Sequence, residues 1–480
     1  MKAESNNLHI LFFPHLAHGH TIPALDMVKL FAFRGLKTTI ITTPVNASYI
    51  SKTIQRTKSF GLEIDVRTIR FPAVEVGLPE GYEHAEFVRN DVEMLNKFLQ
   101  GLALLQEPIE KILQELRPDC LVSDITYPWT TDAAAKFGIP SLIFHGSSFF
   151  TSCTGACIRQ YLSGGHSFSS EPEHFVLPNL PGNIQFSSKN LSSPSDIETL
   201  ITRLIKQSIQ AQGESFGMIF NSFYELEREY VDYYRKTLGH RAWSIGPVSL
   251  CNKDMEDKAG RGKDASMDEH LCLRWLSSRK PNSVIYVSFG SVANFADSQI
   301  QEIAKGLDHS GQEFIWVVNN CGGSQKDGKD WLPEGFEERI EGRGLVIRGW
   351  APQLLILEHA AIGGFVTHCG WNSTLEGITA GVPMVTWPLE LDQFYNEKLV
   401  TQVLKIGVTI GETKHGAHIE SEALEKAVSR IMEGEEAEEM RKKAKALGEM
   451  ARKAVEEGGS SYSDLSSLIQ ELKLLRQGST

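Results

Sequence analysis

The chain has 480 residues, more than one hydrophobic core usually supports, so its length predicts two domains of similar size. Apolar residues make up 41% of the chain and charged residues 22%, which excludes a disordered or fibrous protein. The formal net charge of −12 argues against a large nucleic-acid-binding surface, because neutralising backbone phosphates requires clustered Lys and Arg. A small phosphate-bearing ligand is compatible with this charge, since a helix N-terminus can bind it.

Seven cysteines are scattered along the chain without a Cys-x-x-Cys pair, which indicates reduced thiols and no disulfide or zinc framework. The N-terminus is polar and leads directly into a strand-like run, so we expect no signal peptide. No uninterrupted apolar run is long enough to cross a bilayer. We therefore expect a cytoplasmic protein without a transmembrane segment.

The first half of the chain alternates short apolar or β-branched runs with amphipathic stretches. This order is typical of a parallel sheet with helices on both faces. The predicted strands are Leu8–Phe13, Thr38–Thr42, Cys120–Ser123 and Ile139–Phe144, and the predicted helices are Thr21–Arg34 and Trp129–Phe137.

A break in composition follows Pro247, where residues 252–269 are polar and charged and are expected to form an exposed linker. The alternation then restarts, which predicts a second α/β domain with the ligand between the strand ends of the two domains. The predicted elements are the strands Ser283–Phe289, Phe314–Asn319 and Leu345–Ile347, the helix Asp297–Leu307, and solvated surface helices over Glu435–Leu475.

A strand, a glycine-bearing turn and a helix follow one another in the second half. Residues 363–367 form a short apolar strand, the turn contains Gly370, and Ser373 and Glu376 have the spacing of a capping box. Free N–H groups at such a helix start form an anion site. Taken singly, Trp350 could be a core residue, His368 a satisfied polar residue and Glu376 a capping partner.

Three histidines follow the first predicted strand, namely His15, His18 and His20. Histidine suits the deprotonation of a hydroxyl near neutral pH. Zinc binding is the alternative, although no cysteine lies near them in sequence. Asp124 ends another strand of the same half, so it is expected at the same sheet edge, where its carboxylate would orient a histidine. Its other interpretation is a helix N-cap.

The segment Trp350–Gln393 resembles the signature box of plant secondary-product UDP-dependent glycosyltransferases (family 1) in its length of 44 residues and in its motifs. These motifs are W-A-P-Q, H-C-G-W-N-S-x-x-E, G-V-P and a terminal D-Q. The H-G-H-x-x-P turn and the S-F-G-S strand end also fit. The resemblance implies a GT-B fold, in which two Rossmann-like parallel-sheet domains face each other across a cleft. The implied parts are an acceptor-binding domain (1–248), a linker (249–280), a UDP-sugar-binding domain (281–455) and a C-terminal helix that packs back on the N-terminal domain (456–480).

The resemblance also implies roles for single residues. His20 becomes the catalytic base, assisted by Asp124. Trp350 stacks on uracil and Ala351 reads its edge, while Gln353 and Glu376 bind the ribose. The diphosphate is assigned to Ser291, His368, Gly370, Asn372 and Ser373, and the sugar to Trp371, Asp392 and Gln393.

The resemblance is weaker near the sugar and the acceptor. Many relatives carry a threonine where this chain has Gly146, so Ser147 is a tentative substitute for that sugar contact. Glu390 and Leu391 also depart from the family pattern. Gln393 favours glucose over galactose, with glucuronic acid left open. The acceptor pocket is expected from residues Phe71–Glu83, Phe87 and Ile143–Cys157, whose apolar walls suit a flavonoid or triterpenoid.

The sequence therefore predicts an inverting hexosyltransferase that is a monomer and needs no cofactor or metal. No D-x-D triplet that would hold a divalent metal is present, and the UDP-sugar is a co-substrate. A dehydrogenase and a P-loop kinase are disfavoured, because no G-x-G-x-x-G follows a strand and no GxxxxGK[ST] motif is present. A non-catalytic UDP-sugar-binding protein is the alternative from another class.

Overall fold

The structure is a computed structural model, in which the chain forms two parallel β-sheets with helices on both faces. It describes residues 7–89, 91–168, 171–188, 191, 200–291, 293–318, 332–411 and 416–478. Every strand pairing within the two large sheets is parallel.

The N-terminal sheet has seven strands in the order β3-β2-β1-β4-β5-β8-β9, and β6 and β7 form a separate antiparallel pair. Its central strands are buried, as near-continuous apolar runs require in a parallel sheet. The strands are β1 (His9–Phe13), β2 (Lys37–Thr42), β3 (Ile64–Thr68), β4 (Cys120–Asp124), β5 (Ser141–His145), β6 (His174–Val176), β7 (Gln185–Ser187), β8 (Gly217–Phe220) and β9 (Ala242–Ser244).

The helices of this half are α1 (His18–Phe33), α2 (Pro44–Ser59), α3 (Val92–Ala103), α4 (Gln106–Leu116), α5 (Trp129–Ala135), α6 (Phe149–Ser163), α7 (Leu200–Glu214) and α8 (Arg228–Asp232). Helix α1 begins three residues before the predicted start at Thr21. The N–H groups of His20 and Thr21 both bond the carbonyl of Ala17, so the histidine-rich turn is already helical. His18 and His20 therefore lie on the first turn of a helix.

The C-terminal sheet has six strands in the order β12-β11-β10-β13-β14-β15. They are β10 (Val284–Ser288), β11 (Glu313–Val318), β12 (Gly344–Arg348), β13 (Ile362–Thr367), β14 (Met384–Thr386) and β15 (Gly407–Thr409). The predicted strand end at Asn319 lies outside the described residues. The helices after β10 are α11 (Asp297–His309), α12 (Phe336–Arg339), α13 (Gln353–Leu357), α14 (Trp371–Ala380), α15 (Gln393–Lys398), α16 (Ser421–Met432), α17 (Gly434–Val455) and α18 (Ser460–Gly478).

The segment between the sheets contains α9 (Met255–Ala259) and α10 (Glu269–Ser277). The expectation that residues 252–269 are exposed is wrong in part, because Asn252 and Asp257 are buried. Their polar groups are compensated there, since Lys29 donates to Asn252 Oδ1 at 2.7 Å and lies 3.4 Å from Asp257. The charge-rich stretch is thus fastened to the N-terminal half.

The last two helices are amphipathic, with an exposed face, as expected of solvated surface helices, and a buried face. Helix α17 buries Ala444 and brings Gly448 against the carbonyl of Thr379. Helix α18 buries Leu465, Leu468 and Leu472 in the core of the N-terminal sheet. Asp464 at its start accepts the backbone N–H of Ser244 at 2.8 Å, which ties the C-terminus to β9.

Candidate active site

The first turn of α1 and the N-terminus of α14 meet across the cleft between the two sheets. Asn372 Nδ2 donates to the carbonyl of Gly19 at 2.5 Å. Trp371 Nε1 donates to the carbonyl of Asn221 at 2.8 Å, and the indole is 3% exposed. Both helices follow central strands of their sheets, so the contact brings together the carboxyl ends of those strands, where ligands bind in open α/β sheets.

His20 and Asp124 are adjacent at this cleft. Asp124 is the last residue of β4, which pairs with β1, and His20 lies on the helix that follows β1. His20 Nδ1 is 2.7 Å from Asp124 Oδ2. The Asp124 side chain is fully buried, whereas that of His20 is 31% exposed. The second carboxylate oxygen accepts the N–H and the hydroxyl of Thr126 at 3.0 and 2.9 Å. Both oxygens of Asp124 are thereby fixed.

This environment sets the charge of the pair. Burial alone would raise the pKa of Asp124, but the charge and hydrogen bond of His20 hold it well below its usual range. Burial alone would lower the pKa of His20, while the charge and hydrogen bond of Asp124 raise it above its ordinary value. Asp124 is therefore ionised near neutral pH and fixes a proton on Nδ1 of His20.

The other two histidines of the turn have different partners. His15 Nδ1 lies 3.1 Å from the hydroxyl of Thr126, and burial lowers the pKa of His15 to about 3. His18 is buried beside His84, with ring centroids 4.4 Å apart. Its Nε2 atom lies 3.7 Å from Glu86, and burial lowers the pKa of His18 to about 4. The three histidines do not point to one common zinc site.

Among the described residues, one group has the spacing of metal ligands, namely His18, His84 and Glu86. Lys263 forms an ion pair with Glu86, because its ammonium donates to both carboxylate oxygens at 2.9 and 2.7 Å. The cluster is thus charge-compensated by a lysine from the segment between the sheets.

The turn between β13 and α14 surrounds His368 with glycines. A Cβ on Gly290 would lie 2.6 Å from the ring of His368, and a Cβ on Gly370 would lie 2.4 Å from it. Burial lowers the pKa of His368 to about 4, so the ring is neutral. Its Nδ1 atom is buried and bonds no described residue. Ser291 directly follows Gly290 and is half-buried at this end of β10.

The predicted capping box is wrong. Helix α14 begins at Trp371 with Gly370 as its N-cap, and no side chain caps it. Ser373 is therefore already inside the helix, where its hydroxyl accepts Gln353 Nε2 at 3.1 Å. Because no side chain of the described residues bonds the first N–H groups of α14, this helix start has the character of an anion site.

Gln353, Glu376 and Trp350 form the next part of the cleft. Gln353 Nε2 donates to Glu376 Oε2 at 2.7 Å, and Glu376 is 6% exposed. Trp350 Nε1 donates to the carbonyl of Arg261 at 3.2 Å. Ala351 is 8% exposed beside Trp350. Gln353 thus bonds α14 at Ser373 and Glu376, and Arg261 links Glu376 to Trp350.

Asp392 and Gln393 lie at the other end of the cleft. Asp392 Oδ2 accepts the hydroxyl of Ser147 at 2.6 Å, which joins the two halves of the chain. Burial raises the pKa of Asp392, although the bond from Ser147 opposes this. Gln393 Oε1 accepts the N–H groups of Leu389 and Glu390 at 2.8 and 3.0 Å. The Gln393 side chain thereby fixes the loop before α15.

Two departures from the family pattern have structural partners. A Cβ on Gly146 would lie 3.3 Å from Cε1 of His20, so the glycine leaves room for that ring. Glu390 accepts Arg89 NH2 at 2.7 Å across the cleft. Each departure therefore accompanies a contact in the cleft.

The predicted acceptor pocket is wrong for four of its rings, because Phe71, Phe144, Phe149 and Phe150 are buried in hydrophobic cores. Phe149 and Phe150 are fully buried, and Phe149 stacks on Phe220 with a centroid distance of 3.8 Å. They belong to the hydrophobic core because α6 packs these rings beneath β8. Aromatic rings close to His20 come instead from His15 at 5.1 Å and, behind it, Tyr127.

A sequence profile for the family described as UDP-glucoronosyl and UDP-glucosyl transferase matches residues 103–444, more than half of the chain. The chain belongs to this family. Its fold and its signature segment therefore confirm the predicted plant UDP-glycosyltransferase with a GT-B architecture. As a UDP-glycosyltransferase, it uses a UDP-sugar as co-substrate and a small molecule as acceptor.

Similar proteins cover nearly the whole chain. It is 55% identical to scopoletin glucosyltransferase of Nicotiana tabacum over 97% of this chain and 98% of that protein. It is 51% identical to UDP-glucose flavonoid 3-O-glucosyltransferase 7 of Fragaria ananassa over 98% and 97% of the two chains. The crystal structure of Glycyrrhiza uralensis UGT73P12 with glycyrrhetinic acid 3-O-monoglucuronide has a TM-score of 0.91 and 40% identity, and the match covers 98% of this chain and 97% of that one.

Two further observations concern this glycosyltransferase. Within the described ranges, no helix has the length and apolar character needed to cross a membrane. The six described cysteines are free thiols, and Cys321 lies outside the described residues.

Sequence reasoning missed Arg261 and Gly262. A Cβ on Gly262 would lie 2.2 Å from the indole of Trp350, and Arg261 NH1 donates to Glu376 Oε1 at 2.6 Å. They belong to a polar stretch whose composition resembles a solvated linker. The one available signal was a run of Gly, Arg and Lys without apolar anchors, and this run does not reveal buried partners.

Proposed function

We propose that this protein is an inverting UDP-glucose-dependent O-glucosyltransferase. Its acceptor is a hydroxyl or carboxyl group of a hydrophobic small molecule, such as a flavonoid or triterpenoid. The observation that carries the proposal is the hydrogen bond of 2.7 Å between His20 Nδ1 and Asp124 Oδ2 in the cleft. The relatives named for glucosyl transfer to scopoletin and to flavonoids support the donor and the acceptor class.

His20 is the proposed base. Asp124 occupies Nδ1, so Nε2 is the nitrogen that accepts the proton of the acceptor hydroxyl. The acceptor oxygen then forms a bond to the anomeric carbon from the face opposite to UDP. The bond from that carbon to the phosphate oxygen breaks, and UDP leaves with the electron pair. One such displacement inverts the anomeric configuration.

The N-terminus of α14 is the proposed site for the leaving diphosphate. Its first N–H groups carry no side-chain cap, so they can bond phosphate oxygens as charge develops. Neutral His368 and the residues Ser291, Asn372 and Ser373 complete this proposed site. Trp350, Ala351, Gln353 and Glu376 are assigned to the uridine. These groups are hydrogen-bond donors, one carboxylate that accepts hydrogen bonds, a helix dipole and one ring for stacking.

Asp392 and Gln393 are the proposed sugar ligands. A half-buried carboxylate suits a pair of sugar hydroxyls, and Ser147 orients Asp392 from the opposite domain. Gly146 lies beside the His20 ring and the next residue, Ser147, bonds Asp392, so the transferred carbon is proposed to lie between these two side chains. Glucose is proposed over galactose or glucuronic acid because scopoletin glucosyltransferase and UDP-glucose flavonoid 3-O-glucosyltransferase 7 are named for glucosyl transfer.

The test is a matrix of UDP-glucose, UDP-galactose and UDP-glucuronic acid against scopoletin, flavonoids and triterpenoids, with products identified by mass. We expect a hexose adduct with UDP-glucose and a β-glucoside by NMR, since UDP-glucose carries an α-linkage. An α-glucoside would contradict the single displacement. UDP binding without any product across the matrix would favour a non-catalytic binding protein.

A further inference from the structure

The segment between the sheets bridges both halves of the molecule through Arg261. Its Nε and NH2 atoms donate to Asp26 Oδ2 at 3.0 and 2.7 Å, and NH1 donates to Glu376 Oε1 at 2.6 Å. Arg261 is 11% exposed, and its two carboxylate partners are nearly buried. Charge-assisted hydrogen bonds of this kind are strong when water is excluded. Arg261 is therefore firmly placed between α1 and α14.

The neighbours of Arg261 cover Trp350. The ideal Cβ position of Gly262 is 2.2 Å from the indole, and its φ of +88° suits glycine. Ser266 exchanges two hydrogen bonds with Trp350, since its N–H donates to the tryptophan carbonyl and its hydroxyl accepts the tryptophan N–H, both at 2.8 Å. Residues 260–266, here called the bridging segment, thus contact both the tryptophan and the glutamate assigned to uridine.

The carboxylate of Glu376 has no uncommitted oxygen in this arrangement. Oε1 accepts Arg261 and Oε2 accepts Gln353. A carboxylate has about four lone-pair sites, so a ribose diol that donates two hydrogen bonds to Glu376 has to share this carboxylate with the two donors already bonded to it at 2.6 and 2.7 Å. The cation most directly in competition is Arg261, because Gln353 is itself assigned to the ribose.

We propose that Arg261 competes with the ribose of UDP-sugars for Glu376, and that the bridging segment moves off Trp350 and Glu376 when the donor binds. This proposal rests on the proposed assignment of Glu376 and Trp350 to uridine. The free energy of nucleotide binding then includes the breaking of the Arg261–Glu376 pair. The apparent affinity for the nucleotide is the affinity of the open state multiplied by the fraction of molecules in which the segment is open.

Contacts with the N-terminal half keep the bridging segment attached when it moves off Glu376. Lys263 bonds Glu86, and Thr53 Oγ1 donates to the carbonyl of Gly260 at 3.2 Å. Arg261 also keeps its pair with Asp26 when it leaves Glu376. Movement of the segment is therefore a transfer away from α14 rather than full release.

The test compares Arg261→Met with the matched control Lys258→Met by titration calorimetry with uridine, UMP and UDP. Lys258 belongs to the same region and pairs with Glu358, outside the cleft, so its loss makes the same change in charge. We expect Arg261→Met to tighten all three ligands by a similar factor of about three to ten, and the control to leave them unchanged. Weaker binding of uridine by Arg261→Met would overturn the proposal. So would an effect confined to UMP and UDP, because it would place Arg261 at the phosphates.

Arg261→Lys is the second variant, because loss of the arginine leaves Asp26 buried with fewer partners and can prevent folding. A lysine keeps a cation at Asp26 but lacks the fork that reaches two carboxylates. The expected direction is again tighter uridine binding, and unchanged or weaker binding would overturn the proposal. Measurements on the wild type distinguish a failure of the proposed function from a failure of the proposed role of Arg261. If the wild type binds no uridine nucleotide or transfers no sugar, the proposed function fails; if it does both and the variants bind no more tightly, only the role of Arg261 fails.

Discussion

Nδ1 of His20 lies 2.7 Å from Oδ2 of the fully buried Asp124, while the His20 ring remains 31% exposed. The two residues are 104 positions apart in sequence and meet because β1 and β4 are neighbours in a parallel sheet. A buried, ionised carboxylate behind a partly exposed imidazole fixes the tautomer and stabilises the imidazolium. The pair therefore sets the expected pH dependence of transfer and its dependence on His20.

The pH dependence of transfer reports this pair. Because the pKa of His20 is raised, the acid limb of kcat/KM should lie above about pH 6.5, the ordinary histidine value, and activity should fall as the pH drops through it. Asp124→Asn should move this limb to lower pH and slow transfer by about a hundredfold or more. A pH–rate profile of both proteins tests this, and an unchanged limb in Asp124→Asn would contradict it.

Gly290 should be required for nucleotide binding because of His368. Gly290→Ala places a Cβ 2.6 Å from that ring, so we expect UDP affinity to fall by about tenfold or more. The control is Gly311→Ala, which has a similar φ of +67° but nothing within 4 Å of the added Cβ. The positive φ should cost each variant about 1 kcal/mol of stability, and Gly290→Ala should lose more because its added Cβ also clashes with His368. Equal losses of UDP affinity in the two variants would contradict the role of the ring.

Ser147 should act on the sugar and not on UDP. Its hydroxyl donates to Asp392 at 2.6 Å, so Ser147→Ala leaves that carboxylate with one fewer partner. We expect KM for UDP-glucose to rise by about fivefold and the inhibition constant of UDP to stay constant. Ser163→Ala is a control, because among the described residues that exposed hydroxyl bonds only the carbonyl of Gln160 on α6. A parallel loss of UDP affinity in Ser147→Ala would contradict this assignment.

The sequence predicted the parallel sheets well because strand-like runs such as Thr38–Thr42 are short, β-branched and bounded by turn residues. It also predicted that His20 and Asp124 meet, since parallel strands end at a common edge. The start of α1 was predicted too late. The glycine between His18 and His20 is typical of a turn, whereas the carbonyl of Ala17 accepts the first hydrogen bonds of the helix there.

The sequence did not predict side-chain contacts between residues that lie far apart in the chain. The capping box at Ser373 has the correct spacing, yet the helix starts at Trp371 and Ser373 bonds Gln353 instead. Arg261 lies in a stretch with the composition of a solvated linker, and its burial depends on two carboxylates from different domains. Spacing and composition describe local preferences, whereas these contacts depend on how the domains pack.

The most direct test of the central claim is sugar transfer by His20→Gln, measured together with UDP affinity, with His418→Gln as a control at an exposed histidine. Glutamine keeps a polar side chain of similar size but cannot accept a proton near neutral pH. We predict that transfer falls by about three orders of magnitude or more, that UDP affinity changes less than about twofold, and that the control resembles the wild type. Transfer by His20→Gln at a rate close to that of the wild type would contradict the claim that His20 is the base.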